Sequence, residues 1–473
     1  MIVVDYVIFI VYFLTMLGVG FYFYKKNKNL EDYYVGGRSL KSWHIGLSVV
    51  ATDVGGGFSI GLGGLGFIMG VSGSWMLFTG LVGAWLSAVV LIPVIVKLSA
   101  KHHFYNGKVA MIAGVISAIG YIGFTSSQLL AGAKLASATF AEIDMTTALI
   151  IMGVVAVVYT GIGGLKAVIY TDTIQWLILM CGLVLIGIPI AYSAIGGIDV
   201  IRTTIGHEFL TFTNVTWQQL VNWGVTIIPI WFVGMTLYQR IYASKNKKQA
   251  QSAWFIAGLF EWPLMALMGT VLGMFARVAF ENGMFTGAGY PPGAGIDSET
   301  ALPVLLNTVL PAGLMGLMLA AYFSAILSTA DSCLMAASGN VQTDILDRII
   351  KPAKGMKAQL RVSQIITLGI GALALVLAHS MSNVLELMLY SYAFMVSGLF
   401  VPILAALYTR NPNASAALSA MIAGGTTTIL LIILKVPLPF GLNENIFGIT
   451  VSAVVYILIS IFTVKSGKKL SNP

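Results

Sequence analysis

An aspartate beside three glycines is the first feature of this sequence that could do chemistry. In the apolar stretch SVVATDVGGGFSIGLGGLGF, Asp53 stands two positions before Gly55–Gly57. A carboxylate inside a membrane span is costly and is a functional candidate by default. Successive glycines favour an unwound turn, whose freed carbonyl groups can coordinate a cation. The alternative is a structural aspartate that caps the interrupted helix.

Small hydroxyl side chains form a second candidate cation site. The stretch AAYFSAILSTADSCLMAAS spaces four small residues at i, i+3, i+4 and i+7, which is one face of a helix. They are Ala325, Ser328, Thr329 and Ser332. Two hydroxyls, with a carbonyl of the preceding turn, suit a hard cation that prefers oxygen ligands, although such hydroxyls also bond back to their own helix. Asp331 could support the cation electrostatically or pair with another helix.

A third carboxylate lies in the stretch YTGIGGLKAVIYTDTIQ. Lys166 stands at an expected turn, and Asp172 follows about two helical turns later. Asp172 could serve as a carboxylate on the exit path of an ion. Equally, it could be the buried partner of Lys166, and the sequence leaves both possibilities open.

A second interrupted helix is indicated by Pro229 and Gly234 in TIIPIWFVGMTLYQR. It follows the glycine-rich span by five spans. Paired interrupted helices in corresponding positions of two halves are typical of transporters built from inverted repeats. Their neighbours could line a solute pocket, although aromatic residues there could equally be packing or interfacial residues. The candidate pocket residues are Gly55, Gly56, Trp231, Met235, Tyr238 and Tyr392.

Composition sets the environment in which these residues act. The chain has 473 residues, of which 58% are hydrophobic and 9% charged, against about 25% charged residues in soluble domains. We therefore expect an all-α integral membrane protein. Cys181 and Cys333 lie in separate apolar stretches and predict neither a disulfide nor a metal site. The net charge of +8 comes from short loops and indicates topology rather than nucleic-acid binding.

About thirteen stretches are long enough to span a bilayer, which takes about 20 apolar residues each. They are 4–24, 42–70, 74–99, 109–137, 145–163, 167–195, 218–242, 252–280, 301–336, 361–380, 384–409, 414–435 and 445–465.

The distribution of basic residues predicts the orientation of these spans. With the N-terminus outside and the C-terminus cytoplasmic, most of the 26 lysines and arginines, Lys166 and Arg240 among them, fall on the inner side. The loops 25–41, 97–108 and 240–251 are therefore expected in the cytoplasm.

Three motifs together resemble the sodium:solute symporter family: ATDVGGG, YTGIGGLKAVIYTDTIQ and SAILSTADS. The resemblance runs from the first span to about residue 409. It implies a leucine-transporter-like core of two inverted five-helix repeats, with one helix before and two after. The implied segments are 1–41 (leading helix and inner loop), 42–195 (first repeat), 196–216 (outer loop), 217–409 (second repeat) and 410–473 (two trailing helices).

The resemblance also implies a sodium site between the first broken helix and the hydroxyl-bearing helix. Its ligands would be the carbonyls of Ala51, Val54 and Ala325 and the hydroxyls of Ser328 and Thr329.

Two aspartates match functional positions of the family. Asp53 matches an aspartate that proline carriers need for sodium-dependent transport, and Asp172 matches an inner-side aspartate linked to sodium release. With Asp331 they form the expected ion-coupling set. The chain departs from the family in a shorter loop, KLSAKHHFYNGKVA, and Gly234 and Asp53 stand where choline carriers have aromatic residues, so a choline pocket is not supported.

The expected function is sodium-coupled symport of a small organic solute across the cell membrane into the cell. The sodium ion is the expected cofactor, and solute, sodium and membrane lipid are the expected partners, with no nucleic acid and no obligatory protein partner. No nucleophile–base pair indicates an enzyme. The alternatives are a proton-coupled carrier of the same fold and a membrane solute sensor.

Overall fold

Helices account for the regular structure of the chain. The computed structural model describes residues 3–24, 41–98, 105–140, 142–350 and 355–469, and every regular element in these ranges is helical. The helices are α1 (Val3–Tyr24), α2 (Ser42–Met69), α3 (Trp75–Leu98), α4 (Gly107–Thr139), α5 (Met145–Met180), α6 (Ile188–Ala194), α7 (Gly197–Thr204), α8 (Trp217–Val233), α9 (Met235–Ala243), α10 (Lys247–Leu259), α11 (Ala266–Glu281), α12 (Ser298–Val309), α13 (Leu314–Asn340), α14 (Met356–His379), α15 (Val384–Tyr408), α16 (Ala414–Leu434) and α17 (Glu444–Lys469).

The helices that pass as membrane spans are fewer than the thirteen stretches of the hydropathy pattern. Within the described residues, nine helices are long and apolar enough to cross a membrane, and the pair that meets at Gly234 would be a tenth. Two further predicted spans are represented by shorter apolar helices, Val3–Tyr12 and Met145–Val157, and one stretch, Ile60–Val96, joins the end of α2 to α3. The count of thirteen stays a prediction.

Helix α13 forms the centre of the bundle, because almost all of its residues are buried. The peripheral helices α14, α16 and α17 instead present apolar side chains outward. Val376 is 71% exposed, Ile433 68% and Phe462 67%. Apolar surface on this scale marks contact with a membrane or a partner, and the hydropathy of these helices favours the membrane.

Both predicted helix interruptions are present, and each occurs at a glycine. Gly55 breaks α2 with φ of 24° and ψ of −161°. A side chain there would be strained at this φ, and its Cβ would lie 2.5 Å from Thr329 Oγ1. Gly234 separates α8 from α9, whose axes differ by 44°. Pro229 stays inside α8 and does not end it.

Helix α5 differs from the prediction of two spans divided near Lys166, because its helical backbone continues from Met145 to Met180. Its contacts with α13 show that it is not straight. Gly182 lies against Met318, and Asp172 bonds to Ser328. These two contacts align the helices antiparallel. If both helices were straight, Thr160 would lie about 13 Å past Asp331 along the helix axis. The two side chains are instead hydrogen-bonded to each other. The chain therefore bends within a continuous helix.

Candidate functional site

Three of the five predicted sodium ligands meet where the first half of α2 contacts α13. The Thr329 hydroxyl lies 3.1 Å from the Ala51 carbonyl and 3.2 Å from that of Ala325, and it can donate to either. A void of about 10 Å³ lies beside them, lined by Ala51, Gly55 and Ala325 and closed by Trp176. Such a void has room for about one water-sized occupant. Backbone and hydroxyl oxygens around a space of this size can hold a small cation.

The other two predicted ligands are placed differently. The Ser328 hydroxyl donates to Asp172 Oδ1 rather than pointing toward Ala51. Val54 lies in α2 directly before the break, and its side chain lies outside the described part of the chain.

A glutamine of α4 completes the junction at the break. The Gly56 amide, which the interruption of α2 frees from helical pairing, donates to Gln128 Oε1 at 2.7 Å. A Cβ on Gly56 would lie 2.5 Å from Ile326 Cγ1, so the broken segment is clamped between α4 and α13. Gln128 is fully buried, and its signal in the sequence is a glutamine within an apolar span, although the motifs discussed above do not include it.

Asp53 faces a second carboxyl group, that of Glu261, which the sequence analysis missed. Both side chains are buried and lie within hydrogen-bonding distance of each other. Tyr392 donates to Asp53 Oδ1 at 3.3 Å. Among the described side chains, none donates to Asp53 Oδ2 or to either Glu261 oxygen. Two buried carboxyl groups in contact cannot both be charged without compensation, so the pair needs a proton or another cation.

Arg240 occupies the interior instead of the inner loop to which its charge had been assigned. Its side chain is fully buried. It reaches side chains or carbonyls on four helices: Ser48 at 3.1 Å, the Thr236 carbonyl at 3.1 Å, Ser332 at 3.0 Å, Asp172 at 3.5 Å, and Thr52. This set of acceptors allows the Arg240 guanidinium to be buried, since a buried charge must be paired. The distribution of basic residues among loops cannot reveal these acceptors, because they come from other helices.

Asp172 is therefore a buried partner of Arg240. It also accepts hydrogen bonds from Ser48 at 2.5 Å and from Ser328. The side chain of Lys166, the partner considered from the sequence, lies outside the described residues. Asp331 pairs with another helix through a hydrogen bond from Thr160, while its Oδ2 has no donor among the described side chains.

A small closed cavity lies between the two helix breaks. It measures about 10 Å³ and is lined by Asp53, Tyr121, Gly234, Thr236 and Tyr392, with four other residues. It thus joins Asp53 of the first break to the second break and to one predicted pocket residue, Tyr392. An organic solute does not fit in a space of this size.

A larger cavity of about 400 Å³ lies at one end of the bundle. Two predicted pocket residues, Met235 and Tyr238, line it with Ser117, Asn340 and Asp344. The predicted pocket residue Trp231 lies elsewhere, fully buried against Trp254 at 6.3 Å between ring centroids, and it packs rather than lining either cavity.

An ion cluster, in which Lys134 and Glu299 are buried and Asp297 is exposed, lies at the opposite end of the bundle. Lys134 Nζ lies 2.5 Å from Asp297 Oδ2 and 2.7 Å from Glu299 Oε2. The Glu299 carboxylate also accepts the amides of Val384 and Leu385, each at 2.9 Å. Helix α12 is thereby fixed to α4 and to the start of α15.

Comparisons with known proteins agree with this geometry. The model of the sodium:solute symporter family matches residues 33–424. The chain is 25% identical to the osmoregulated proline transporter OpuE of Bacillus subtilis, over 97% of this chain and 94% of the relative. It is 26% identical to the high-affinity proline transporter PutP of the same organism, over 95% and 96%. A sodium/proline symporter of Staphylococcus aureus is also 26% identical, over 98% and 93%.

Solved structures share the fold. A sodium-coupled sialic acid symporter in a substrate-bound outward-open state aligns with a TM-score of 0.79 at 22% identity, covering 97% of this chain and 98% of that one. Mhp1, a nucleobase-cation-symport-1 family transporter in a closed conformation, aligns with a TM-score of 0.54 at 12% identity, covering 92% and 95%. At these identities the likeness concerns the fold alone.

Proposed function

Since the chain belongs to the sodium:solute symporter family, it is a membrane transporter with sodium as its coupling ion, and we propose that it carries a small zwitterionic solute into the cell. The observation that carries the proposal is the meeting of Ala51, Ala325 and Thr329 at the broken helix. Three oxygen atoms from two helices converge there beside a void that suits one ion.

Sodium in this site would hold the broken helix against α13. The Thr329 hydroxyl would turn a lone pair to the ion, and Ser328 would leave Asp172 to join it. Because Asp53 lies between Ala51 and Val54 in the sequence, its negative charge would stabilise the ion through space.

The zwitterionic class of solute rests on chemistry and on the relatives. Three of the four carboxyl oxygens of Asp53 and Glu261 have no donor among the described side chains, and an ammonium group would supply donors. The relatives described above are proline carriers, and proline carries both an ammonium and a carboxylate group. The solute would bind beside the break in a conformation that widens the small cavity there, with the backbone of Gly55 and Gly56 and the ring of Tyr392 around it.

Transport would follow from alternating access, in which the two ends of the bundle open in turn. The repeats 42–195 and 217–409 would rock about the central sites, as in other inverted-repeat carriers. Here the Lys134 cluster lies at one end, while the 400 Å³ cavity lies at the other. Sodium and solute would favour each other's binding by about 1–3 kcal/mol. We assign the cavity end to the cytoplasm, because Tyr242 of the predicted inner loop 240–251 lines the cavity, and the protein to the cell membrane.

The test is uptake of radiolabelled L-proline by proteoliposomes, with the sodium gradient varied at fixed pH. Ser328→Ala combined with Thr329→Ala removes two of five proposed ligands, because alanine offers no side-chain oxygen. We expect the sodium concentration for half-maximal uptake to rise about ten-fold or more, as the loss of two contacts to a charged group implies.

Ser338→Ala is the matched control, since this buried hydroxyl of α13 bonds only to its own helix at Met335. Unchanged sodium dependence in the double variant would show that sodium binds elsewhere. Uptake driven by a pH gradient without sodium would favour proton coupling instead.

A further inference from the structure

The 400 Å³ cavity contains two polar groups, Asn340 and Asp344, that the sodium and solute sites do not use. It lies between the start of α4, the whole of α9, the end of α13 and the second half of α15. Most of its wall is apolar, as in ligand sites that place a few polar groups in a hydrophobic surround.

Asn340 is the first polar group. Its side chain is 3% exposed and lines the cavity, and its Nδ2 has no hydrogen-bond partner among the described residues. A buried amide donor without an acceptor is costly. A carboxylate oxygen within the cavity would satisfy it.

Asp344 is the second, about one helical turn further along the chain and on the same cavity wall. Helix α4 makes room for it: a Cβ on Gly114 would lie 2.8 Å from Asp344 Cβ and 3.6 Å from its Oδ2. The nearest cation, Arg348, stands 3.9 Å away with its side chain one-third exposed, and such a pair contributes little. The carboxylate can therefore accept an ammonium group from the cavity.

We propose that this cavity is an inner solute site, which holds a small amino or imino acid after it leaves the central site, with the solute carboxylate at Asn340 and its ammonium group at Asp344. The proposal rests on the proposed function. The two residues lie four positions apart in a helical segment that continues from α13 to Leu346, and a donor and an acceptor that both line the cavity can bracket the two charged ends of an amino acid. The rings of Tyr238 and Tyr242 would cover its hydrocarbon part.

The test measures L-proline transport separately from the two sides of right-side-out vesicles. In Asn340→Leu and in Asp344→Asn, we expect the KM for efflux, which reports the inner site, to rise about ten-fold, because each variant removes one charge-assisted hydrogen bond. The KM for sodium-driven uptake should stay near that of the wild type, which also shows that the variants fold.

Pyrrolidine loaded inside the vesicles distinguishes the contact at Asp344 from the contact at Asn340, because it has an ammonium group and no carboxylate. Its inhibition of efflux should weaken in Asp344→Asn and persist in Asn340→Leu. Ser338→Ala is the matched control, since that hydroxyl bonds back to Met335 and does not line the cavity. Normal uptake with an unchanged efflux KM in both variants would overturn the inner site alone. A wild-type protein without sodium-dependent proline transport would overturn the proposed function and this site with it.

Discussion

At the scale of single residues, two groups of buried charge surround the broken helix. Arg240 compensates Asp172, and both are bonded to hydroxyls of neighbouring helices. Among the described residues, no fixed counter-charge is bonded to Asp53 or Glu261. The first group therefore resembles a structural ion pair, whereas the second is available to respond to ions and solutes.

Replacing Asp53 with asparagine should weaken sodium binding. Asparagine keeps the shape and hydrogen-bonding capacity but deletes a charge next to Ala51 and Val54. At about 4–6 Å and an effective dielectric constant near 20, one unit charge contributes about 3–4 kcal/mol before desolvation is subtracted. We expect the sodium concentration for half-maximal uptake to rise at least about ten-fold, with similar protein amounts in the membrane. Asp53→Glu should have a milder effect.

The exposed Asp199→Asn in α7 serves as the control for this charge deletion. Lost solute binding with normal sodium affinity in Asp53→Asn would mean that the carboxylate serves the solute instead.

Local sequence signals identify residues whose role depends on their own chain segment. The triple glycine predicts the break at Gly55, and the spacing of Ala325 and Thr329 predicts their common face. Glu261 and Arg240 could not be assigned in this way. Their roles depend on partners far away in the chain, Asp53 for Glu261 and Ser48 and Asp172 for Arg240. Proximity of that kind arises only from tertiary packing.

At the scale of helices, the two breaks were predictable because a glycine stands at each. The continuous path of α5 was not, since Lys166 and the glycines before it are typical of a turn between spans. Helical hydrogen bonds can persist through a gradual bend, and residue types alone do not distinguish a bend from a turn.

The ion cluster that fixes α12 gives a prediction at this scale. Lys134→Met would leave the Glu299 carboxylate, which is 2% exposed, without its cation. Breaking a buried pair on one side costs about 3–5 kcal/mol. We expect the melting temperature of the detergent-solubilised protein to fall clearly. Glu299→Gln added to Lys134→Met should restore part of it, because the amide oxygen can still accept the Leu385 amide.

Lys248→Met, at an exposed position of α10, is the control for the loss of a lysine. Equal melting temperatures for Lys134→Met and this control would show that the cluster does not fix α12.

At the scale of the whole molecule, the bundle has two distinct ends, one with the 400 Å³ cavity and one with the Lys134 cluster. Gly107 adjoins Arg348 at the end where the predicted inner loops lie. Thr204 and Asn282 meet at the other end. Two of the loops that carry the positive-inside prediction, 25–41 and 97–108, fall largely outside the described residues, so the orientation is best tested chemically.

Single cysteines should reveal the orientation. In a chain with Cys181 and Cys333 replaced by alanine, we expect Lys245→Cys to resist an impermeant maleimide in intact cells and to react after permeabilisation. Thr213→Cys, in the exposed loop at the other end, should react in both conditions. Labelling of Lys245→Cys from outside intact cells would reverse the assignment of the two ends.

The buried position of Arg240 bears on how the protein is made. A translocon releases helices in the order of their synthesis, and an arginine within a span disfavours that release, by at most about 2.5–3.5 kcal/mol at the centre of the helix. Ser48, Thr52 and Asp172 precede Arg240 in the chain, and Ser332 follows it. When the ribosome delivers α9, the carboxylate and two of the hydroxyls that receive the guanidinium are already in the bilayer. The nascent chain can thus shield this charge before α13 arrives to enclose it.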